Sequence, residues 1–497
     1  MKRILFFFEV HQPRRIKKFF GKESIQKLDY FDDNLNKEIF QRVAKNCYIP
    51  TLEIFLENAK NYNFKFSLGL SGIFLEQCSW WEPKIIEIIK KLIDENSCEL
   101  VTETYYHSLS YLINEKEFIE QIKLHKRIIK EIFGVEPIVV ENTEFIYDNK
   151  VAKIMENLGF KMILTEGVDR ILGWRSPNYL YKAKDSNILL LMRNYRLSDD
   201  IGFRFTLRNW NEWPLTAEKY AKWLSSTPGD IIFIAMDIET FGEHYWPESG
   251  IHDFIKALPR YIENMKFSIP SDIISNLYPL DEIDVKETIS WADVERDLSA
   301  WLGNEMQKYC FEVLKYLEPM VKSIGGEYLR TWRYLTTSDH FHYMSTKEDG
   351  AKAVHSYFSH FNGPIEAFIS FTWVLADLRY KVYDLIKDKM FYYRILFEEL
   401  PDSHSFHFYS GFARSLGIKA RNLVELYNVI KEVDEEVLNF HMRRNDFSKW
   451  INDVLGLREL SIEIKNAKNR EELIKILEKT IKEAEKMIYK HEEFEVT

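Results

Sequence analysis

Seven short runs of β-branched and aromatic residues, at 3–10, 64–70, 98–102, 138–141, 161–165, 188–194 and 230–236, recur through the first half of the chain, each separated from the next by enough residues for a helix. Several runs are apolar at nearly every position, which marks strands buried on both faces, and such strands belong to a parallel sheet covered by helices. Amphipathic segments at 117–132 and 149–158 supply helices of that kind. The pattern allows either a closed barrel or an open doubly wound sheet, and in both a ligand sits at the carboxyl ends of the strands. After the proline-bearing stretch 269–280 the runs stop and long helical patterns follow at 294–316, 364–386 and 414–440. Residues 1–270 are therefore expected to form an α/β domain and residues 271–497 an α-helical one. The segment 459–489 places Ile and Leu at three- and four-residue intervals among Lys and Glu, the pattern of one solvated amphipathic helix.

Composition narrows the function. Among 497 residues, 67 Lys and Arg stand against 77 Asp and Glu, a net charge of −10, and no basic run could neutralise a phosphate backbone, so nucleic acid is not an expected partner. Apolar residues at 46% and charged residues at 29% are those of a folded protein that does not span a membrane. The first apolar run ends at Glu9, too early for a signal peptide, which predicts a cytoplasmic location. Cys47, Cys78, Cys98 and Cys310 form no CxxC pair and read as reduced core thiols. Aromatic residues at 15% can line a groove for a ligand with flat apolar faces and polar rims, such as a sugar.

Nucleotide-binding, dinucleotide-binding, GxSxG and HExxH patterns are missing, so chemistry is sought in polar residues at the strand ends. The first run ends in His11-Gln12-Pro13, the third leads to Glu103 and His107, the fourth to Glu141-Asn142-Thr143-Glu144, and the seventh to Asp237-Ile238-Glu239. A single such rim is more often a helix cap than a catalytic group, but four together weaken that explanation. Two carboxylates across a cleft are the minimum for breaking a glycosidic bond, one attacking the anomeric carbon and one protonating the leaving oxygen, and Glu144 with Asp237 is the candidate pair. The same residue types also serve metal-dependent deacetylases on related barrels, yet the paired histidines His340/His342 and His404/His407 lie far from the strand-end acids, and structural roles are expected for them.

These residues resemble glycoside hydrolase family 57, whose members act on α-glucans with retention of configuration. The resemblance rests on His11-Gln12-Pro13, on Glu99 to Glu103 with His107, on Asn142-Thr143-Glu144, on Asp237-Ile238-Glu239-Thr240-Phe241-Gly242 followed by His244 and Trp246, and on Ser338-Asp339-His340-Phe341, spanning about residues 1–345. It implies an incomplete TIM-like (β/α)7 barrel followed by a C-terminal helical domain that helps close the site. It further implies Glu144 as nucleophile and Asp237 as acid/base. Asp199-Asp200 and Trp301 look most like the α-amylase-type branch.

Beside that pair, the expected substrate-binding residues are His11, Gln12, Glu103, His107, Asp200, Glu239, His244, Trp246, Trp301 and Asp339. Glu141 is expected in a salt bridge behind the sheet, because in an extended strand it points away from Glu144. The reading is an α-amylase acting on starch, glycogen or maltooligosaccharides, with no cofactor and no metal. Its competitors are a 4-α-glucanotransferase using the same glycosyl-enzyme and a non-catalytic glucan-binding protein.

Overall fold

Alternation along the strands decides what the barrel contains. The computed structural model describes residues 1–19, 27–347 and 359–488. Its seven barrel strands are β1 (Lys2–Val10), β2 (Phe66–Leu70), β3 (Cys98–Val101), β4 (Val139–Glu141), β5 (Met162–Glu166), β6 (Leu189–Arg193) and β7 (Ile231–Asp237). In β1, Leu5 and Phe7 join Val101, Val139, Leu164, Leu191, Phe233 and Ala235 in one inner cluster. The residues between them, Ile4, Phe6 and Phe8, pack outward with Leu68, Leu100, Ile232 and Ile234 against the helices. Each such buried side chain contributes roughly 1.5–3 kcal/mol. Two residues beyond the apolar layer, the same inward period delivers Glu9, Glu103, Glu141, Glu166, Arg193 and Asp237, so a charged layer caps an apolar one at the carboxyl ends.

All the strand pairings between neighbours of this set are parallel. β3-β2-β1-β7 form one arc and β4-β5-β6 the other. Thr102 joins β3 to β4 through two backbone hydrogen bonds, and the seam between β6 and β7 carries the bond from Asn194 N–H to the Phe233 carbonyl at 2.8 Å. This is the incomplete (β/α)7 barrel that the resemblance implied, with each strand within two residues of its apolar run. Register puts Glu9 opposite Gly69 on one side and Asp237 on the other. A Cβ at Gly69 would lie 2.7 Å from a Glu9 carboxyl oxygen, so the glycine is what admits that side chain.

Caps hold the helices to the rim. Ser71 begins Gly72–Trp81 and accepts from Phe74 N–H, and Asp148 begins Asn149–Asn157, accepting from Lys150 and Val151 N–H. The structure divides into two compact units, Met1–Phe311 with Arg333–Trp373, and Glu312–Trp332 with the described residues from Val374 onward. In the second unit, Phe406–Tyr409 and Ser415–Ala420 form an antiparallel hairpin. His441 is buried there against Phe406 and Phe447.

Three sequence expectations are corrected. The segment 414–440 is not one helix: it opens with the exposed strand Ser415–Ala420, and helices run only over Leu423–Glu432 and Glu435–Arg444. The C-terminal stretch holds two helices, Arg458–Asn466 and Arg470–Ile488, with residue 489 outside the described residues. Two short strands were not expected, Tyr181–Ala183 between the fifth and sixth runs and Asp281–Ile283 beyond the last, and they pair in parallel. The four cysteines are buried and free. Among the described residues no helix is long and apolar enough to cross a membrane.

Candidate active site

Glu144 lies past the end of β4, in the tight turn Thr143–Phe145, with left-handed backbone at φ 62° and ψ 20°. Phe145 (φ 53°) and His107 (φ 46°) share that unusual region. A non-glycine residue there costs about 1–2 kcal/mol, so other contacts must hold the turn. Asn142 donates to the Ile146 carbonyl at 2.9 Å, Thr104 and Thr143 hydroxyls bond at 2.6 Å, and Trp291 N–H donates to the Glu144 carbonyl at 3.2 Å. Ser338 N–H bonds the His107 carbonyl at 3.0 Å, tying the β3 loop to the start of the helix Ser338–His342.

The Glu144 carboxylate is held by two donors. Trp291 Nε1–H reaches Oε2 at 2.7 Å and Ser338 Oγ–H reaches Oε1 at 2.8 Å, while His107 Nε2 stands 3.7 Å from Oε1. Burial alone would raise this carboxyl, but the His107 cation and the indole N–H outweigh it and hold the pKa below the usual value. Asp237 goes the other way. Burial, then the neighbouring Glu144 charge, push it up to about 7. One site thus holds a carboxyl that favours its ionised form beside one that retains its proton up to about pH 7, the pairing that acid-assisted nucleophilic substitution requires.

His107 is the cation on which this depends. Burial disfavours its charged form, yet Glu103 at 2.7 Å on Nδ1, with Glu144 and Glu9 nearby, raises its pKa well above the ordinary value. Glu103 is itself pushed up by burial to about 7. Behind it, His125 accepts from Glu103 N–H through Nδ1 at 3.3 Å and bonds the Leu70 carbonyl through Nε2 at 2.7 Å. Burial holds His125 down to about 4, so it serves as a neutral spacer. Glu141 is not in a salt bridge behind the sheet. It points inward, and burial followed by the Glu9 charge raises its pKa well above the usual range, as burial and Glu103 do for Glu9. The expectation failed because β4 ends at Glu141, and the turn after it brings Glu144 back to the side that strand alternation denies it.

His11 stacks on His107 with ring centres 4.2 Å apart. Its Nδ1 bonds Ser71 Oγ at 2.7 Å and its Nε2 faces Asp339 Oδ2 at 3.2 Å. Burial and the adjacent His107 cation hold it down to about 4, while Asp339, despite burial, is kept well below the carboxylate range by the two imidazoles. Gln12 is buried, accepting from Arg15 at 3.2 Å. Glu239 takes a hydrogen bond from Tyr48, and burial with Asp237 beside it raises it to about 8. His244 and Trp246 follow on the same loop, His244 N–H bonding the Glu239 carbonyl at 2.8 Å, and Trp246 is 45% exposed.

Two residues are placed otherwise. Asp200 is paired with Arg204, whereas its neighbour Asp199 meets Arg193 at 2.7 Å. Trp301 is 1% exposed, so its ring has no face open to a ligand.

Sequence reasoning missed Trp291 and what surrounds it. Arg193 donates to Glu166 at 2.9 Å and to the Ala235 carbonyl at 2.8 Å across the β6–β7 seam, and Arg296 donates to the same Glu166 at 2.8 Å. Trp291 lies in irregular chain with no periodicity to flag it, and Arg296 lies in the segment 294–316 expected to be helical, where the helices are Ser299–Leu302 and Glu305–Ile324 and residue 296 is irregular. Arg193, at a strand end, was legible only as the close of an apolar run. Among the described residues, Glu9, Glu103 and His107 bring one ligand atom each within 4.8 Å of one another, a donor set a divalent cation could use. Two of the three residues, His107 and Glu103, already bond each other at 2.7 Å.

The family model for glycosyl hydrolase family 57 matches residues 5–286. A Methanocaldococcus jannaschii protein named "Putative alpha-amylase" is 46% identical over 404 residues, covering 78% of this chain and 86% of that one. An alpha-amylase of Pyrococcus horikoshii is 28% identical over 128 residues, 26% of this chain and 20% of its own length. Among solved structures, a family 57 branching enzyme of Thermococcus kodakaraensis superposes with TM-score 0.54 at 14% identity, over 77% of this chain and 94% of that one. A 4-alpha-glucanotransferase of Thermococcus litoralis gives 0.52 at 17%, over 69% and 56%.

Proposed function

The chain belongs to glycosyl hydrolase family 57 and is a glycoside hydrolase; from that premise we propose that it is an α-amylase, cleaving α-1,4-glucosidic bonds of starch, glycogen or maltooligosaccharides with retention. The observation that carries the reading is the opposed ionisation of Glu144, held below the carboxylate range, and Asp237, raised to about 7. Glu144 attacks the anomeric carbon while Asp237 gives its proton to the departing sugar oxygen. Once Glu144 is esterified its negative charge is gone, and with it the second of the influences that kept Asp237 protonated. Asp237 then becomes the stronger acid, and so the ionised base that takes a proton from water.

His11, Asp339, Glu239, His244 and Trp246 are offered as sugar contacts around this pair. Glu103 and Gln12, both buried, support the site from behind. The name borne by the M. jannaschii relative favours hydrolysis over transfer. Residues 1–270 are read as the catalytic barrel and 271–497 as the helical domain. Four buried free thiols support a reducing, cytoplasmic setting.

Incubation with maltoheptaose alone, resolving every chain length over time, tests the function. The expected result is shorter products only, with reducing ends rising. Longer products at constant reducing ends would replace the hydrolase by a transferase, and an unchanged substrate, for any α-glucan, would overturn both.

A further inference from the structure

Glu144 is gripped from two directions, and only Ser338 belongs to a segment the sequence had marked. The other donor, Trp291, addresses Glu144 twice, with its peptide N–H on the carbonyl at 3.2 Å and its indole N–H on Oε2 at 2.7 Å. Two residues away, Ile289 and Tyr147 exchange both backbone hydrogen bonds at 2.9 Å, so this strip of chain is pinned beside the nucleophile turn. The last torsion of a glutamate is broad and roughly two-fold. One donor leaves the carboxylate free to swing about the anchored oxygen, whereas one donor on each oxygen fixes its plane. An indole can only donate, so it serves an ionised oxygen and cannot take a proton in exchange.

What holds the indole is also built. Its ring lies 4.8 Å from that of Phe145, with the Arg193 guanidinium 5.8 Å from its centre. Arg296 donates to the Trp291 carbonyl at 3.3 Å and to Glu166 at 2.8 Å. Apolar packing could stabilise such a place as well as buried ion pairs do; what ion pairs add is a fixed geometry.

We propose that Trp291 is a positioning residue for the nucleophile, its indole N–H and the Ser338 hydroxyl together fixing the plane of the Glu144 carboxylate, and that Glu166, Arg193, Asp199 and Arg296 form the scaffold holding the indole. The inference rests on the reading of Glu144 as nucleophile. A lowered Glu144 pKa is a second consequence, because the carboxylate also faces His107, His11, Asp339, Glu141 and Asp237, and the indole is one of the partners that favour its ionised form.

The test is the pH dependence of kcat and KM on a 4-nitrophenyl α-maltooligoside for the wild type, Trp291→Phe and Arg296→Lys, with thermal unfolding of each. Trp291→Phe keeps a ring and loses the N–H. It is expected to lower kcat about 10- to 100-fold with KM moving less than about threefold, the signature of a group that acts on the transition state. The acid limb of kcat/KM should move to higher pH. Arg296→Lys should do the same to a smaller degree, about three- to tenfold in kcat, and it decides the matter if Trp291→Phe does not fold. Wild-type kcat and an unmoved acid limb in a folded variant overturn the inference. A Glu144→Ala protein given azide separates the two levels. If azide restores turnover and yields the β-glycosyl azide, the nucleophile reading stands whatever Trp291 does; if Glu144→Ala is active without azide, both fall.

Discussion

On one side of the barrel mouth, Glu166 and Asp199 are matched by Arg193 and Arg296. On the other, Glu9, Glu103 and Glu141 have, among the described residues, the one cation His107 between them. Glu166 and Arg193 belong to the same charged layer above the apolar core as Glu9, Glu103 and Glu141, and these five are buried, while Asp199 and Arg296 are half-buried. The first is neutralised by guanidinium groups that never lose their protons. In the second, burial and mutual repulsion keep protons on Glu9 and Glu141, while Glu103, paired with His107, is raised to about 7. One side therefore holds its carboxylates in guanidinium pairs and fixes geometry, while the other changes charge with pH and fixes ionisation. Glu144 stands where they meet, with Trp291 braced by the first and His107 charged by the second.

The largest effect should come from Glu144 itself. Glu144→Gln is expected to reduce kcat on maltoheptaose by about 10³- to 10⁵-fold with the far-ultraviolet spectrum unchanged; near-normal turnover would remove it from the nucleophile role. Next, Arg193→Met leaves two carboxylates, Glu166 and Asp199, to Arg296 alone, and urea unfolding at pH 7 should show a loss of about 3–5 kcal/mol. His107→Gln withdraws the cation from Glu144 and should cut kcat about 10- to 100-fold while moving the acid limb of the pH profile upward. An unmoved limb would mean that His107 does not set the ionisation of Glu144.

Asp237→Asn should act on stability in a pH-dependent way. The folded-state pKa of about 7 lies above the ordinary 3.8, so the stability this group confers as a neutral acid is present below about pH 4 and lost as pH rises through 7. Asparagine has no proton to lose. The variant should melt about 2–4 °C higher than the wild type at pH 8 and by less at pH 5. The smallest effect is expected for Glu9→Gln, under about 1 kcal/mol at pH 7, because the amide replaces a carboxyl that burial already keeps neutral. A loss like that of Arg193→Met would show Glu9 to be ionised and would break the contrast between the two sides.

The sequence made the barrel legible because buried parallel strands leave an unusual trace, apolar residues at nearly every position, as in Ile4 to Phe8. It also revealed which strand ends carry acids, since those residues follow the runs directly. Strand 415–420 escaped because five of its six residues are exposed, leaving no apolar face to report a period. Alternation gave the wrong face for Glu141, because the turn at Glu144 leaves the extended conformation just where the site begins. Trp291 had no local signal, and the helical pattern around Arg296 did not foretell its place, since their roles come from contacts with residues about 100 to 150 positions away.

Gly69 carries a consequence for how such a site can arise. The Glu9 carboxyl takes its present place because position 69 lacks a side chain; a single methyl group would come within 2.7 Å of an oxygen and 2.8 Å of the Phe7 ring, and both side chains would have to shift. The two positions are therefore coupled in descent. A lineage that already has the glycine can acquire the acid without that shift, and once the acid is in place a return to alanine at 69 displaces it from the charged layer.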